Sequence, residues 1–189
     1  MAILDAAEAL LETGAWNRTS VVAITSEAGC SVGAFYGRFS GKEDVLRALY
    51  ARYRDQSQLL LQTALRPDDW QGVPLTQVIE ALCAFLVEDF RQRRGLRRAF
   101  LEAAMHDSAI RELVGELSQT TIEVMRRLLE TRADEIAHAD PAVAADFCHR
   151  IAFAILDQNL VATDLQPIED EVLRTELSRA LVGYLGVSA

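Results

Sequence analysis

Cysteine is scarce in this chain. The three present, at positions 30, 83 and 148, are odd in number and far apart, which excludes a disulfide framework and a zinc spacing. They are expected to be reduced, buried small hydrophobes. Apolar runs of membrane-spanning length are missing too. The best candidate, residues 151–162, is interrupted by Asp157, Gln158 and Asn159, so no membrane partner is expected. The first eight residues lack the basic flank and apolar run of a signal peptide, and the expected compartment is the cytoplasm. Catalytic machinery is not apparent. There is no Ser-His-Asp arrangement, no phosphate loop and no His-x-x-x-His helix, so no catalytic residue, no cofactor and no enzyme activity is expected. His106, His138 and His149 lack ligand spacing, and Cys148 and His149, adjacent on a helix, point about 100° apart, so no metal is expected either.

β-branched runs with period two are also absent, and the four prolines, at 67, 74, 141 and 167, stand where helices would begin or end. The chain therefore reads as helical throughout. A first helix spans about Ala2 to Thr13, with Ile3, Leu4, Ala7, Leu10 and Leu11 forming one apolar stripe before Gly14. Thr19 or Ser20 caps a second helix that turns Val21, Ile24 and Ala28 inward and ends at Gly29. Ser31 caps a third, running to about Arg38. Ser40-Gly41-Lys42-Glu43 reads as a capping box opening a long fourth helix to about Leu65. Residues 66–74 read as a linker. Five further helices follow: to about Arg94; from Leu96 to His106 after a break at Gly95; from Ser108 to Ile136; from Pro141, capped by Asp140, to near Thr163; and from Ile168 to Leu185.

The third helix of this set is only about two turns long, too short to be stable alone. Held between two others, it presents small side chains, one phenol and one guanidinium, as a helix-turn-helix presents a recognition helix to a DNA groove. The net charge of −9 looks wrong for such a role, but it is uneven. Residues 18–54 carry six basic residues (Arg18, Arg38, Lys42, Arg47, Arg52, Arg54) against three acidic ones, while residues 55–189 carry 13 basic and 22 acidic residues. Local field governs phosphate contact, not the whole-chain balance.

The ordered set Ile3-Leu4-Asp5-Ala6-Ala7, Gly14, Thr19-Ser20-Val21, Ile24, Ala28-Gly29, Ser31, Gly33, Phe35-Tyr36, Phe39 and Lys42-Glu43 resembles the tetracycline-repressor (TetR) family of bacterial transcriptional regulators. The resemblance covers about the first 50 residues. It implies an all-α fold of about nine helices: a three-helix helix-turn-helix domain at residues 1–46, joined by a long helix to a C-terminal domain at residues 47–189 that binds an effector and dimerises. Thr19, Ser20 and Ser31 place hydroxyls and free amides at helix starts, which suit phosphate. Tyr36 offers a hydroxyl, Arg38 a two-pronged guanidinium and Lys42 an ammonium to the same backbone. Lys42 sits at a helix start, where the macrodipole disfavours a cation, and a docked phosphate would account for that. Val32, Gly33, Ala34 and Gly37 are expected to face the groove, the two apolar ones suiting a thymine methyl and Gly37 allowing close approach. Phe35 and Phe39 are expected in the core.

For the second domain the resemblance implies an unnamed small-molecule effector and a homodimer formed by the helices at about 141–163 and 168–185. Two recognition helices would then lie roughly 34–36 Å apart on an approximately palindromic double-stranded operator. Pocket candidates are Phe85, Phe90, Phe100, Met105, His106, Met125, Phe147, His149 and Phe153. The cluster Arg91, Arg93, Arg94, Arg97 and Arg98 reads as a solvated face. Function is thus expected to be that of a DNA-binding regulator, a repressor released by its effector. Basic residues ahead of the first helix, usual in the family, do not precede Ala2. That keeps open the alternative of a helical ligand-binding or adaptor protein with a weak or non-functional head.

Overall fold

The computed structural model describes residues 2–14, 16–64, 67–161 and 166–187. Among them it contains nine α-helices: α1 (Ala2–Thr13), α2 (Val21–Glu27), α3 (Val32–Tyr36), α4 (Lys42–Ala64), α5 (Leu75–Gln92), α6 (Arg94–Ala104), α7 (Ser108–Thr131), α8 (Pro141–Val161) and α9 (Asp170–Leu185). Short 3-10 turns cover Trp16–Arg18, Pro67–Trp70 and Ala133–Glu135. Extended pairing among the described residues is limited to one antiparallel bridge between Ile136 and Val187. The fold is all-α. Leu65, Arg66 and Thr163, where the fourth and eighth helices and the linker were expected to end or begin, lie outside the described residues.

The chain divides into two compact units. One comprises residues 1–57 with 93–116, the other residues 58–92 with 117–189. In the first unit, the apolar stripe of α1 buries Ile3, Ala7 and Leu11, and α1 packs on both α2 and α6. Ile24, Phe35, Val45 and Leu49 are fully buried around it. Tyr50 and Tyr53 of α4 close the core against the Phe100 ring of α6, at 4.6 and 5.8 Å between centroids.

The α1–α6 contact depends on a glycine. A Cβ on Gly95 would stand 2.0 Å from the Leu11 carbonyl oxygen and 2.8 Å from the Glu12 Cα. The Glu12 carboxylate accepts from the Gly95 amide at 2.9 Å and the Leu96 amide at 3.0 Å, satisfying two otherwise orphaned donors of the first turn of α6. Gly95 therefore lies inside α6. The expected break falls instead at Arg93, because the first turn of α6 is held from outside by α1.

In the second unit, Leu75, Val78, Ile79 and Cys83 of α5 pack with Leu129 of α7, Ala144, Ala145 and Cys148 of α8, and Leu177, Leu181 and Leu185 of α9. Burial pushes the thiols of both Cys83 and Cys148 up to about 12, so neither is a thiolate at neutral pH. α7 stops at Thr131, short of the expected Ile136. The reason is a long-range cap: Glu135 Oε2 accepts from the Leu75 amide at the start of α5, and Arg132 donates to the Val73 carbonyl. Asp140 caps α8 as expected, accepting from Ala142 and Val143. Gly186, at φ 61°, ends α9 in the left-handed conformation, with the Ala137 Cβ only 2.8 Å from where a Cβ would stand.

A candidate nucleic-acid interface on the first unit

Ser20 is the N-cap of α2, its hydroxyl accepting from the Ala23 amide at 3.1 Å. α2 ends at a left-handed Gly29 (φ 63°), across which the Cys30 amide donates to the Thr25 carbonyl. One residue later Ser31 caps α3, accepting from the Ala34 amide at 3.1 Å. That is a helix, a tight glycine turn and a second helix. α3 is shorter than expected: it ends at Tyr36 with Gly37 as its C-cap, because the amides of Arg38 and Phe39 both fold back on the Phe35 carbonyl.

A single side chain anchors α3. Phe35 is fully buried, its ring 5.7 Å from that of Phe39. Every neighbour on this stretch is exposed: Ser31, Val32, Gly33, Ala34, Tyr36, Gly37 and Arg38. Tyr36 is 57 % exposed, its ring in a T-shaped contact with Phe35 at 5.3 Å between centroids. At the start of α2, Ser20 is exposed and Thr19 half-buried.

The basic residues of the head do not all contribute to an outward positive field. Arg47 pairs with Asp44 at 2.8 Å and Asp107 at 2.7 Å. Arg52 pairs with Asp5 and Glu8 of α1. Arg54 pairs with Asp55 and Glu116, both at 2.9 Å. Of the six cations in residues 18–54, Arg18 and Arg38 alone make no hydrogen bond or ion pair among the described residues. The surplus counted from the sequence is thus largely neutralised by acids distant in the chain.

Lys42 is engaged differently. It opens α4, and its ammonium donates to the backbone carbonyls of Trp16 (3.1 Å), Asn17 (3.4 Å) and Thr19 (3.2 Å) while lying 5.6 Å from the centre of the buried Trp16 ring. The Trp16 carbonyl also accepts from the Thr19 amide at 3.0 Å, so the lysine shares that acceptor with the turn's own backbone bond. The N-terminal box of α4 also differs from expectation. Asp44, not Glu43, reaches back to the Ser40 amide and hydroxyl. Those two bonds, with Arg47, hold the Asp44 carboxyl below its ordinary range.

The expected pocket residues separate. Phe90, His149 and Phe153 meet in the second unit: the Phe153 ring stands 5.8 Å from Phe90 and 4.3 Å from His149. Met125 packs on the same core. Phe147 is half exposed and rests on Tyr184, while Phe85 lies at the surface of α5. Phe100, Met105 and His106 belong to the first unit. There Phe100 is core, and Met105 and His106 are exposed beyond the end of α6. Of the arginine cluster, Arg91 pairs with Glu88, and Arg93 and Arg97 flank the Tyr53 ring at 5.2 and 5.3 Å.

His149 Nδ1 is buried and has no hydrogen-bond partner among the described residues. Burial lowers its pKa from 6.5 to about 4, against a smaller upward pull from Asp146. Its folded pKa lies below its unfolded one, so the unfolded chain takes up the proton first and stability falls as pH drops from about 6.5 towards 4. His149→Leu is expected to flatten that part of the melting-temperature profile and to cost little at pH 7, which thermal unfolding across pH 4–7.5 would measure.

Two functional positions escaped the sequence reading, and both carried a signal. Glu12 lies in the last turn of α1, where the macrodipole disfavours an anion, and Trp16 is a large aromatic in a short connection. Among the described residues, no group of His, Cys, Asp and Glu could hold a metal ion, and no helix is long and apolar enough to cross a membrane.

Residues 3–49 match the family model for bacterial regulatory proteins of the tetR family, and residues 74–185 match the tetracyclin repressor-like C-terminal domain. No curated protein sequence matches the chain. Solved structures share the fold. A Mesorhizobium loti protein described as a TetR-family transcriptional regulator superimposes with a TM-score of 0.76 at 16% identity, over 98% of this chain and 94% of its own. Salmonella enterica GusR gives 0.73 at 19% identity, over 98% and 94%. SmeT, the repressor of the Stenotrophomonas maltophilia multidrug efflux pump SmeDEF, gives 0.71 at 21% identity, over 96% and 87%. With a helix-turn-helix at its start and family models matched on both halves, this chain belongs to the TetR family of transcriptional regulators.

Proposed function

We propose that the protein is a repressor that binds a palindromic operator as a two-fold dimer and leaves it when a small molecule occupies the second unit. The observation that carries this reading is α3, a five-residue helix pinned by Phe35 alone and exposed on all its other side chains. Thr19, Ser20, Ser31, Tyr36 and Arg38 would meet phosphates, and Val32, Gly33, Ala34 and Gly37 would meet base edges. Long polar base readers are absent from α3, so sequence preference would draw on thymine methyls and on DNA shape.

Dimerisation is supported by apolar side chains left at the surface of α8 and α9: Val143, Phe147 and Val172 are each about half exposed. Effector binding is supported by the Phe90–Phe153–His149 group, where a buried ring nitrogen has no partner among the described residues. A ligand acts only through its differential affinity for two states. α4 and α7 each run unbroken from one unit into the other and would carry the difference. The likeness to SmeT supports repression over activation.

Fluorescence anisotropy with a labelled random duplex tests the reading. Binding should weaken with salt. Arg38→Ala should make the slope of log K against log salt shallower by about 0.9 per lost contact, or about 1.8 for a dimer. Tyr36→Phe should weaken all duplexes alike, whereas Ala34→Ser should change sequence preference. A wild-type protein without salt-dependent binding would leave a helical ligand-binding protein in place of a regulator.

A further inference from the structure

We infer that Lys42 is a positioning residue that aims the backbone amides ahead of α2, and that it does not itself hold a phosphate. This rests on the DNA-binding reading above. The ammonium has three protons and meets three carbonyls, those of Trp16, Asn17 and Thr19, at 3.1–3.4 Å, with the indole of Trp16 alongside. A fourth strong acceptor would have to displace one of them. In a trans peptide the C=O and the following N–H point in opposite directions, and no cis bond occurs among the described residues. Drawing the Asn17 and Thr19 carbonyls onto Nζ therefore turns the Arg18 and Ser20 amides away from Lys42.

Ser20 is the exposed N-cap of α2, and Arg18 is one of two cations of the head that are unpaired among the described residues. The lysine acts from behind, fixing the register between α4 and the turn at Trp16–Arg18, so that the Arg18 and Ser20 amides face away from it.

Two variants separate this from direct contact. In a Trp70→Phe background, Trp16 is the sole remaining tryptophan and reports on the clamp without DNA. Lys42→Met should shift Trp16 emission and lower duplex affinity about tenfold at every salt concentration, giving parallel lines of log K against log salt. Lys42→Arg should behave like Lys42→Met, because a planar fork does not fit a nest of three converging carbonyls, although it serves a phosphate at least as well as lysine does. The inference is overturned if Lys42→Arg restores affinity, or if Lys42→Met leaves Trp16 emission unchanged and flattens the salt slope by about 0.9 per protomer. A wild type that ignores duplex DNA would sink the operator reading instead. Trp16 emission in Lys42→Met would then still decide whether the clamp exists.

Discussion

Gly95→Ala is expected to destabilise the first unit by about 3 kcal/mol or more, since overpacking against backbone costs at the upper end of such substitutions. The new methyl would overlap the Leu11 carbonyl, 2.0 Å away, with the Leu11 carbon at 2.5 Å and the Glu12 Cα at 2.8 Å. These are main-chain atoms inside a helix, so no rotamer change relieves the clash. α1 and α6 must move apart. That also takes the Glu12 carboxylate out of reach of the Gly95 and Leu96 amides, 2.9 and 3.0 Å away, and forfeits a cap worth about 1 kcal/mol. For a unit of this size the melting temperature should fall by roughly 10 °C or more. Glu12→Gln is the control: it keeps the close approach, weakens the cap, and should cost only about 1 kcal/mol. Calorimetry on the pair separates packing from capping. Similar losses for both variants would show that the close approach does not matter.

Phe35→Ala should cost about 3–5 kcal/mol, the range for deleting a buried aromatic, and should abolish DNA binding. Five residues cannot sustain a helix by propensity, and α3 has no other buried side chain. Without the ring, the edge contact with Tyr36 and the contact with Phe39 disappear together. The Ser31 cap, with one hydrogen bond to Ala34, is too weak to hold the turn. Amide exchange should show residues 32–37 losing protection before the rest of the unit. Phe35→Leu should retain most of the fold and part of the binding. If Phe35→Ala melted α3 while duplex affinity survived, α3 would not be the recognition element.

Local signals in the chain predicted local structure well. Ser31 and Asp140 cap the helices expected of them, and Ser20 does so of the pair Thr19 or Ser20, because a cap is decided within three residues. Phe35 is buried as expected, whereas Phe39, expected beside it in the core, is half-buried. What was not legible depends on partners far along the chain. Arg47 pairs with Asp107, Arg52 with Asp5 and Arg54 with Glu116, so counting charges in a window overstated the field. Glu135 capping α5 shortened α7, and nothing within a few residues of Ile136 announces that. Phe100, Met105 and His106 share an expected effector domain with Phe90 and Phe153, yet residues 93–116 belong to the first unit. α6 instead packs on α1, through a glycine whose value is its missing side chain and not its conformational freedom.

The sparse set of uncommitted cations on the head, Arg18 and Arg38 among the described residues, bears on how such a regulator searches a chromosome. Counterion release scales with the number of phosphates neutralised, so a lightly charged surface gains little from arbitrary sequence. Genomic DNA would then sequester few molecules, and the ratio of target to background occupancy would be governed by fit. A small cellular pool could suffice to keep one site filled.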